Sequence, residues 1–158
     1  IRDRSLPELV QDLNEKVMNN AKGEKFITMF IAIYNIENRQ LTYINCGHNP
    51  PVLKNGDQII QLKDGCPGLG MLDRLPVPKI GIVDIQLGST LVTYTDGLCE
   101  VENHEKIEYG TDRIEDAIHN GKHSSMDELN NNLMNDVIEF KGDEPFVDDI
   151  AILSCYFL

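Results

Sequence analysis

Positive charge is scarce in this sequence: Lys and Arg number 14 against 26 Asp and Glu, a formal net charge of −12 over 158 residues. Polyanions are gripped by clustered cations, so this balance argues against nucleic acid as a partner. Long apolar runs are missing too. No stretch reaches the ~18 uncharged apolar residues that cross a bilayer, so no direct membrane contact is expected of this chain. The start, Ile1-Arg2-Asp3-Arg4, lacks the apolar block of a secretory signal and is not a methionine, which suggests a piece cut from something longer, with room upstream for a sensor or a membrane segment. Cysteines at metal or redox spacing are absent as well. Cys46, Cys66, Cys99 and Cys155 form no C-x-x-C pair, leaving free thiols in a reducing, cytoplasmic compartment as the expectation. His119 and His123 stand four apart, but Gly121 lies between them and no Glu follows the first. That spacing reads as a fraying helix end rather than as zinc ligands.

What remains is an acidic chain of a size that fits one compact core, so a single globular domain over residues 1–158 is expected. Its negative charge serves first as a solvated surface, although acids can also gather divalent cations.

Ser5-Leu6-Pro7-Glu8 has the form of a capping box with proline in the first turn, and Leu9, Val10, Leu13, Val17 and Met18 recur behind it at helical spacing. A helix to about Asn19 is predicted, broken at Ala21-Lys22-Gly23-Glu24. Residues 26–35 and 41–46 are rich in β-branched and aromatic side chains and flank Glu37-Asn38-Arg39, which predicts an antiparallel pair. Asn55-Gly56 between two apolar runs predicts a second hairpin. Three glycines and three prolines break up residues 64–78, so a surface loop with a short strand near Leu69 is expected. Strands follow at 79–87 and 89–95 around Leu87-Gly88-Ser89, then helices at 111–119 and 125–140, then a closing strand at 150–157. Hairpins in place of βαβ crossovers point to an α+β fold with antiparallel sheet.

Three segments carry side chains suited to chemistry. In Leu91-Val92-Thr93-Tyr94-Thr95-Asp96-Gly97 an apolar strand runs straight into a carboxylate, and Gly97, with no side chain, leaves Asp96 open to a ligand. In Val147-Asp148-Asp149-Ile150 two adjacent acids precede a strongly apolar strand whose alternation sends them to opposite sides. Taken singly, the first is usually a turn and the second a solvated pair. Together, two carboxylates each at the edge of a buried strand form an oxygen donor set for a hard cation, Mg²⁺ or Mn²⁺. The third segment, Asn45-Cys46-Gly47-His48-Asn49-Pro50-Pro51, places His48 where it orders a turn rather than serving as a general acid.

These segments, in this order, resemble the SpoIIE/RsbU branch of the metal-dependent (type 2C) serine/threonine protein phosphatases. The family's Asn-x-Gly-His-x-Pro-Pro turn is matched by residues 45–51, its Gly-x-Pro-Leu-Gly-Leu-like loop by Gly65-Cys66-Pro67-Gly68-Leu69-Gly70-Met71, and its Tyr-Thr-Asp-Gly-x-x-Glu by residues 94–100. Tyr109-Gly110 with Arg113-Ile114, and then residues 148–151, match its last two motifs. The resemblance implies an antiparallel β-sandwich flanked by helices in four αββα layers, with a dinuclear Mn²⁺ or Mg²⁺ site at one edge. It implies Asp96 and Asp148 as catalytic metal ligands, with Asp149 and Gly97 as supporting candidates. The substrate implied is a phosphoserine or phosphothreonine protein such as an anti-sigma-factor antagonist, under control of an upstream sensor. A homodimer stays open.

The family also carries, before the helix at Ser5, a strand pair with Gly-Asp-x-x-Asp-like and Asp-x-x-Gly-His-Gly segments that supply the other metal ligands. Nothing here corresponds to them, so the domain is expected to be incomplete at its N-terminus. Ala151 replaces the usual threonine, and Cys46 and Cys99 stand where small or hydroxyl residues are common. The alternative consistent with the missing ligands is a catalytically inactive module that binds a partner or senses a signal.

Overall fold

The computed structural model describes residues 5–21, 24–121 and 123–158. The chain start at 1–4 and the Lys22-Gly23 break lie outside them. The elements run α1 (Leu6–Ala21), β1 (Met29–Asn35), β2 (Gln40–Cys46), β3 (Val52–Asn55), β4 (Gln58–Gln61), β5 (Gly65–Cys66), β6 (Gly81–Asp84), β7 (Thr90–Tyr94), α2 (Asp96–Cys99), α3 (Gly110–Asn120), α4 (Met126–Lys141) and β8 (Ile152–Tyr156). They form a mixed α+β fold with two largely antiparallel sheets, divided between two compact units.

The first unit comprises the chain as far as Pro50 together with Leu62–Ile85. Its sheet is organised on β2, which pairs along its whole length with β1; its other edge is shared between β6, antiparallel, and β5, a two-residue parallel pairing. Being central explains why β2 is the most buried strand of this sheet. Helix α1 starts as its sequence dictates. Glu8 accepts from the Ser5 N–H (2.8 Å), and the Ser5 hydroxyl lies 3.5 Å from the Glu8 N–H, closing the capping box. The helix buries Leu6 and Val10 against Ile44, Cys46, Leu69 and Leu75.

The third member of that buried stripe is Asn14, which a hydrophobic pattern cannot find. Its side-chain amide donates to the Leu72 carbonyl (3.1 Å) and its oxygen accepts from the Gly70 N–H (2.8 Å), so it fastens α1 to the 68–75 loop. Buried polar groups are costly only when unpaired, and both partners here would be orphaned by truncation. Asn14→Ala is therefore expected to lower unfolding stability by about 1–2 kcal/mol, read as a fall in the urea midpoint without loss of helical circular dichroism.

The second unit comprises Pro51–Gln61 and Gln86–Leu158. Its sheet has the order β4-β3-β7-β8, every pair antiparallel. The predicted hairpin is β3–β4, but its two-residue loop is Gly56-Asp57, with Gly56 at φ +63°, rather than Asn55-Gly56. Asn55 is drawn inward instead, where its side-chain oxygen accepts from the Gln86 N–H (2.9 Å) and the Ser89 hydroxyl (2.7 Å). The strands flanking Leu87-Gly88-Ser89 do not pair: β6 joins the first sheet and β7 the second. Helix α4 begins at the predicted cap, Ser125 accepting from the Glu128 N–H (3.1 Å), and buries Leu129, Leu133 and Val137 at four-residue spacing. These pack with Ile114 and Ile118 of α3 and with Val92 and Tyr94 of β7. Helix α3 ends at Asn120 with Gly121 as its cap, so His119 sits in its last turn and His123 in the loop beyond.

Candidate metal centre

The core of the second unit ends at β7. Tyr94 is buried within it, and one residue later Thr95 adopts extended backbone (φ −78°, ψ 160°) from which the short α2 starts. An apolar strand thus delivers Asp96 to the surface, where it is exposed while Gly97 and Leu98 behind it are buried. The sequence pattern reads Asp-Gly here as a turn; it is the first turn of α2.

Thr95 is the residue that organises this edge. Its N–H donates to the Ala151 carbonyl (3.1 Å), its hydroxyl donates to the Asp149 carbonyl (3.0 Å), and that hydroxyl accepts from the Ala151 N–H (2.9 Å). The β7–β8 pairing ends at Tyr94 and Ile152, so Thr95 extends it past the last ladder pair. The consequence is close approach of the two acidic segments. A Cβ placed on Gly97 would lie 2.5 Å from the Asp149 carbonyl oxygen and 3.4 Å from the Asp148 carbonyl carbon. Sequence reasoning gave Thr95 no role, because the partners of its hydroxyl lie more than fifty residues away.

Asp96 and Asp148 have similar local settings. The Asp96 carboxylate accepts from the Gly97 N–H (3.0 Å), and that of Asp148 accepts from the Asp149 N–H (2.7 Å). Each bond uses one of the roughly four lone-pair positions of a carboxylate, leaving the others to face outward. Asp149 is exposed, and its carbonyl rather than its carboxylate takes part in the Thr95 contact. Gly97 contributes close packing. Beside them is a cavity of about 310 Å³ lined by Gly97, Glu100, Val101, Glu102, Glu108, Val147 and Asp148, an acidic wall around Asp148.

Cys99 lies next to this edge, its thiol donating to the Asp96 carbonyl (3.3 Å). Burial, and then the neighbouring Glu100 carboxylate, push this thiol above its ordinary pKa. His48 belongs to the first unit. Its N–H donates to the Asn45 side-chain oxygen (2.8 Å), its carbonyl accepts from the Asn45 amide (2.9 Å), and its Nδ1 is 2.7 Å from the Asn49 carbonyl, so it is held as part of a turn.

Exposed hard oxygen donors suit Mg²⁺ or Mn²⁺, but such ions take about six oxygens. Among the described residues no group of three or more His, Cys, Asp or Glu side chains is disposed to hold a metal. Asp96 and Asp148 are exposed carboxylates, the donor type such ions take.

The family model for Stage II sporulation protein E (SpoIIE) matches residues 2–157. Protein IcfG of Synechocystis is 28% identical over 132 residues, which is 83% of this chain and 20% of that protein. The phosphoserine phosphatase RsbU of Bacillus subtilis is 42% identical over 53 residues, 29% of this chain and 16% of RsbU. This chain thus spans a fifth or less of the length of these relatives. Among solved structures, the SiaA-PP2C domain of Pseudomonas aeruginosa superposes with TM-score 0.85 at 18% identity, covering 99% of this chain and 63% of that one. The manganese-presoaked SpoIIE phosphatase domain of Bacillus subtilis gives 0.68 at 16% identity, covering 99% and 76%. Both likenesses carry the fold.

Proposed function

The chain belongs to the SpoIIE family, and on that premise we propose that it is the larger part of a metal-dependent serine/threonine protein phosphatase domain. The substrate class is a phosphoserine or phosphothreonine regulatory protein, such as an anti-sigma-factor antagonist. The observation that carries this reading is the Thr95 contact, which brings the Asp96-Gly97 and Asp148-Asp149 backbones together at one sheet edge.

In this reading Asp96 and Asp148 hold Mn²⁺ or Mg²⁺, Asp149 supports them, and Gly97 lets the two segments close. Once bound, the ions acidify a water and neutralise charge building on the phosphoryl oxygens. Thr95 fixes the spacing of the two carboxylates, and fixed donors avoid reorganisation during reaction. Without cations, Asp96, Asp148 and the nearby Glu100, Glu102 and Glu108 repel a phosphate ester, so the centre is silent until metal enters. The remaining ligands come from chain N-terminal to Ser5. The SiaA structure and the SpoIIE domain contain chain beyond what this one covers, which is 63% and 76% of them.

The experiment is hydrolysis of a generic phosphate ester and of a phosphoserine protein by the full-length protein. Turnover is expected with Mn²⁺ or Mg²⁺ and is expected to vanish on chelation. The lack of a three-ligand group among the described residues favours a second reading, a non-catalytic module. A phosphoprotein bound but not hydrolysed at any metal concentration would establish it and end the enzymatic one.

A further inference from the structure

Cys46 and Cys66 are 20 residues apart in the chain and give no motif, yet they are register partners across the β2–β5 pairing, and their sulfurs are 3.8 Å apart. Neighbouring strands run about 4.8 Å apart, which falls inside the roughly 4.4–6.8 Å Cα separation that a disulfide needs. We propose that Cys46 and Cys66 are an oxidisable dithiol whose closure to a disulfide staples the end of β2 to β5.

The backbone around the pair is already in place. Asn45 is paired with Gly65, the Asn45 N–H donates to the Asp64 carbonyl (2.9 Å), and a Cβ on Gly47 would lie only 2.8 Å from the Gly68 nitrogen. Bond formation therefore asks for side-chain rotation and not for strand movement. The two thiols are unequal. Cys46 is completely buried, whereas Cys66 is partly exposed. Burial raises the Cys66 thiol, and its contact with Cys46 partly offsets that rise; burial holds Cys46 higher, at about 12. Cys66 is thus the sulfur that meets an external oxidant, and Cys46 the one that resolves the product.

With a small-molecule disulfide as oxidant the steps balance. Cys66 loses its proton to solvent and attacks one sulfur of the reagent, forming a mixed disulfide and expelling one thiolate. Cys46 then attacks the Cys66 sulfur and expels the second thiolate, which takes up the Cys46 proton. Two protein thiols are oxidised and one reagent disulfide is reduced. Because the raised thiols are mostly protonated at neutral pH, the rate should climb about tenfold per pH unit toward alkaline pH.

The test exposes the full-length protein to oxidised glutathione, alkylates the remaining thiols and maps peptides without reductant. The expected result is a Cys46–Cys66 linked peptide that a reductant removes, with Cys99 and Cys155 still alkylated. The Cys46→Ser variant, or Cys46→Ala should the serine disturb folding, is expected to accumulate a stable Cys66–glutathione adduct because the resolving sulfur is gone. In Cys66→Ser, Cys46 is expected to stay reduced. Three results would overturn the proposal: both thiols fully alkylated after oxidation, a mixed disulfide on Cys66 that persists in the unsubstituted protein, or linkage of either sulfur to Cys99 or Cys155.

Discussion

Asp148→Asn in the full-length protein is expected to lower manganese-dependent phosphate-ester hydrolysis by roughly 10³-fold or more, with the fold unchanged. The size follows from the role proposed for the carboxylate: a metal stabilises several kcal/mol of charge in the transition state, and each ~1.4 kcal/mol lost is a factor of ten. Stability should survive because asparagine is isosteric and its side-chain oxygen can still accept the Asp149 N–H, the contact that Asp148 makes at 2.7 Å. Asp96→Asn follows the same reasoning, its oxygen keeping the Gly97 N–H at 3.0 Å. Both variants should therefore unfold at the unsubstituted protein's temperature while demanding far more Mn²⁺ for any residual rate. Steady-state kinetics across a metal titration, beside thermal unfolding, separates these effects. Near-normal turnover in either variant would remove its carboxylate from the centre and overturn the ligand set proposed here.

How far the sequence could foresee this depends on the range of the interaction each residue serves. Ser125 capping α4 and Ser5 capping α1 are contacts three residues long, and both were visible as letters at fixed spacing. The β3–β4 hairpin was visible for the same reason, but its loop shifted by one residue because Asn55 has a better use inside, bonding Gln86 and Ser89. Asn14 defeats a hydrophobic pattern because its partners, at Gly70 and Leu72, are more than fifty residues away. The strands on either side of Leu87-Gly88-Ser89 look like a hairpin locally, and only the competing edges of β2 and β3 send them to different sheets. The two acids of the candidate centre could be picked out because each ends or precedes a conspicuous apolar strand. What joins them, the Thr95 hydroxyl, bridges more than fifty residues and has no local signature. Cys46 and Cys66 are the same case, neighbours made by strand register alone.

Gly97→Ala is expected to destabilise the protein and weaken metal binding together, for a reason unlike that for the aspartates. Gly97 has no positive φ, so alanine is compatible with its backbone and in a helix would ordinarily gain about 1 kcal/mol over glycine. The obstacle is contact alone. The new methyl carbon would meet the Asp149 carbonyl oxygen at 2.5 Å and its carbon at 3.1 Å, both backbone atoms with no flexible end to swing away. Retreat of that carbonyl is opposed by the Thr95 hydroxyl bonded to it and by the Ala151 N–H bonded to the same hydroxyl. Overpacking of this kind costs about 1–3 kcal/mol and at times more, enough to cancel the helical gain of about 1 kcal/mol and leave a net loss of up to about 2 kcal/mol. Relief comes by pushing the Asp148-Asp149 segment outward from Asp96. A misplacement near 1 Å in a positioned site can cost about 10²-fold in rate, so activity should fall further than stability. Denaturation midpoints and a Mn²⁺ titration of turnover read the two effects. Stability lost with metal affinity and rate untouched would mean that the closeness of these two segments serves packing only, and that the carboxylates need not be held together for any ion.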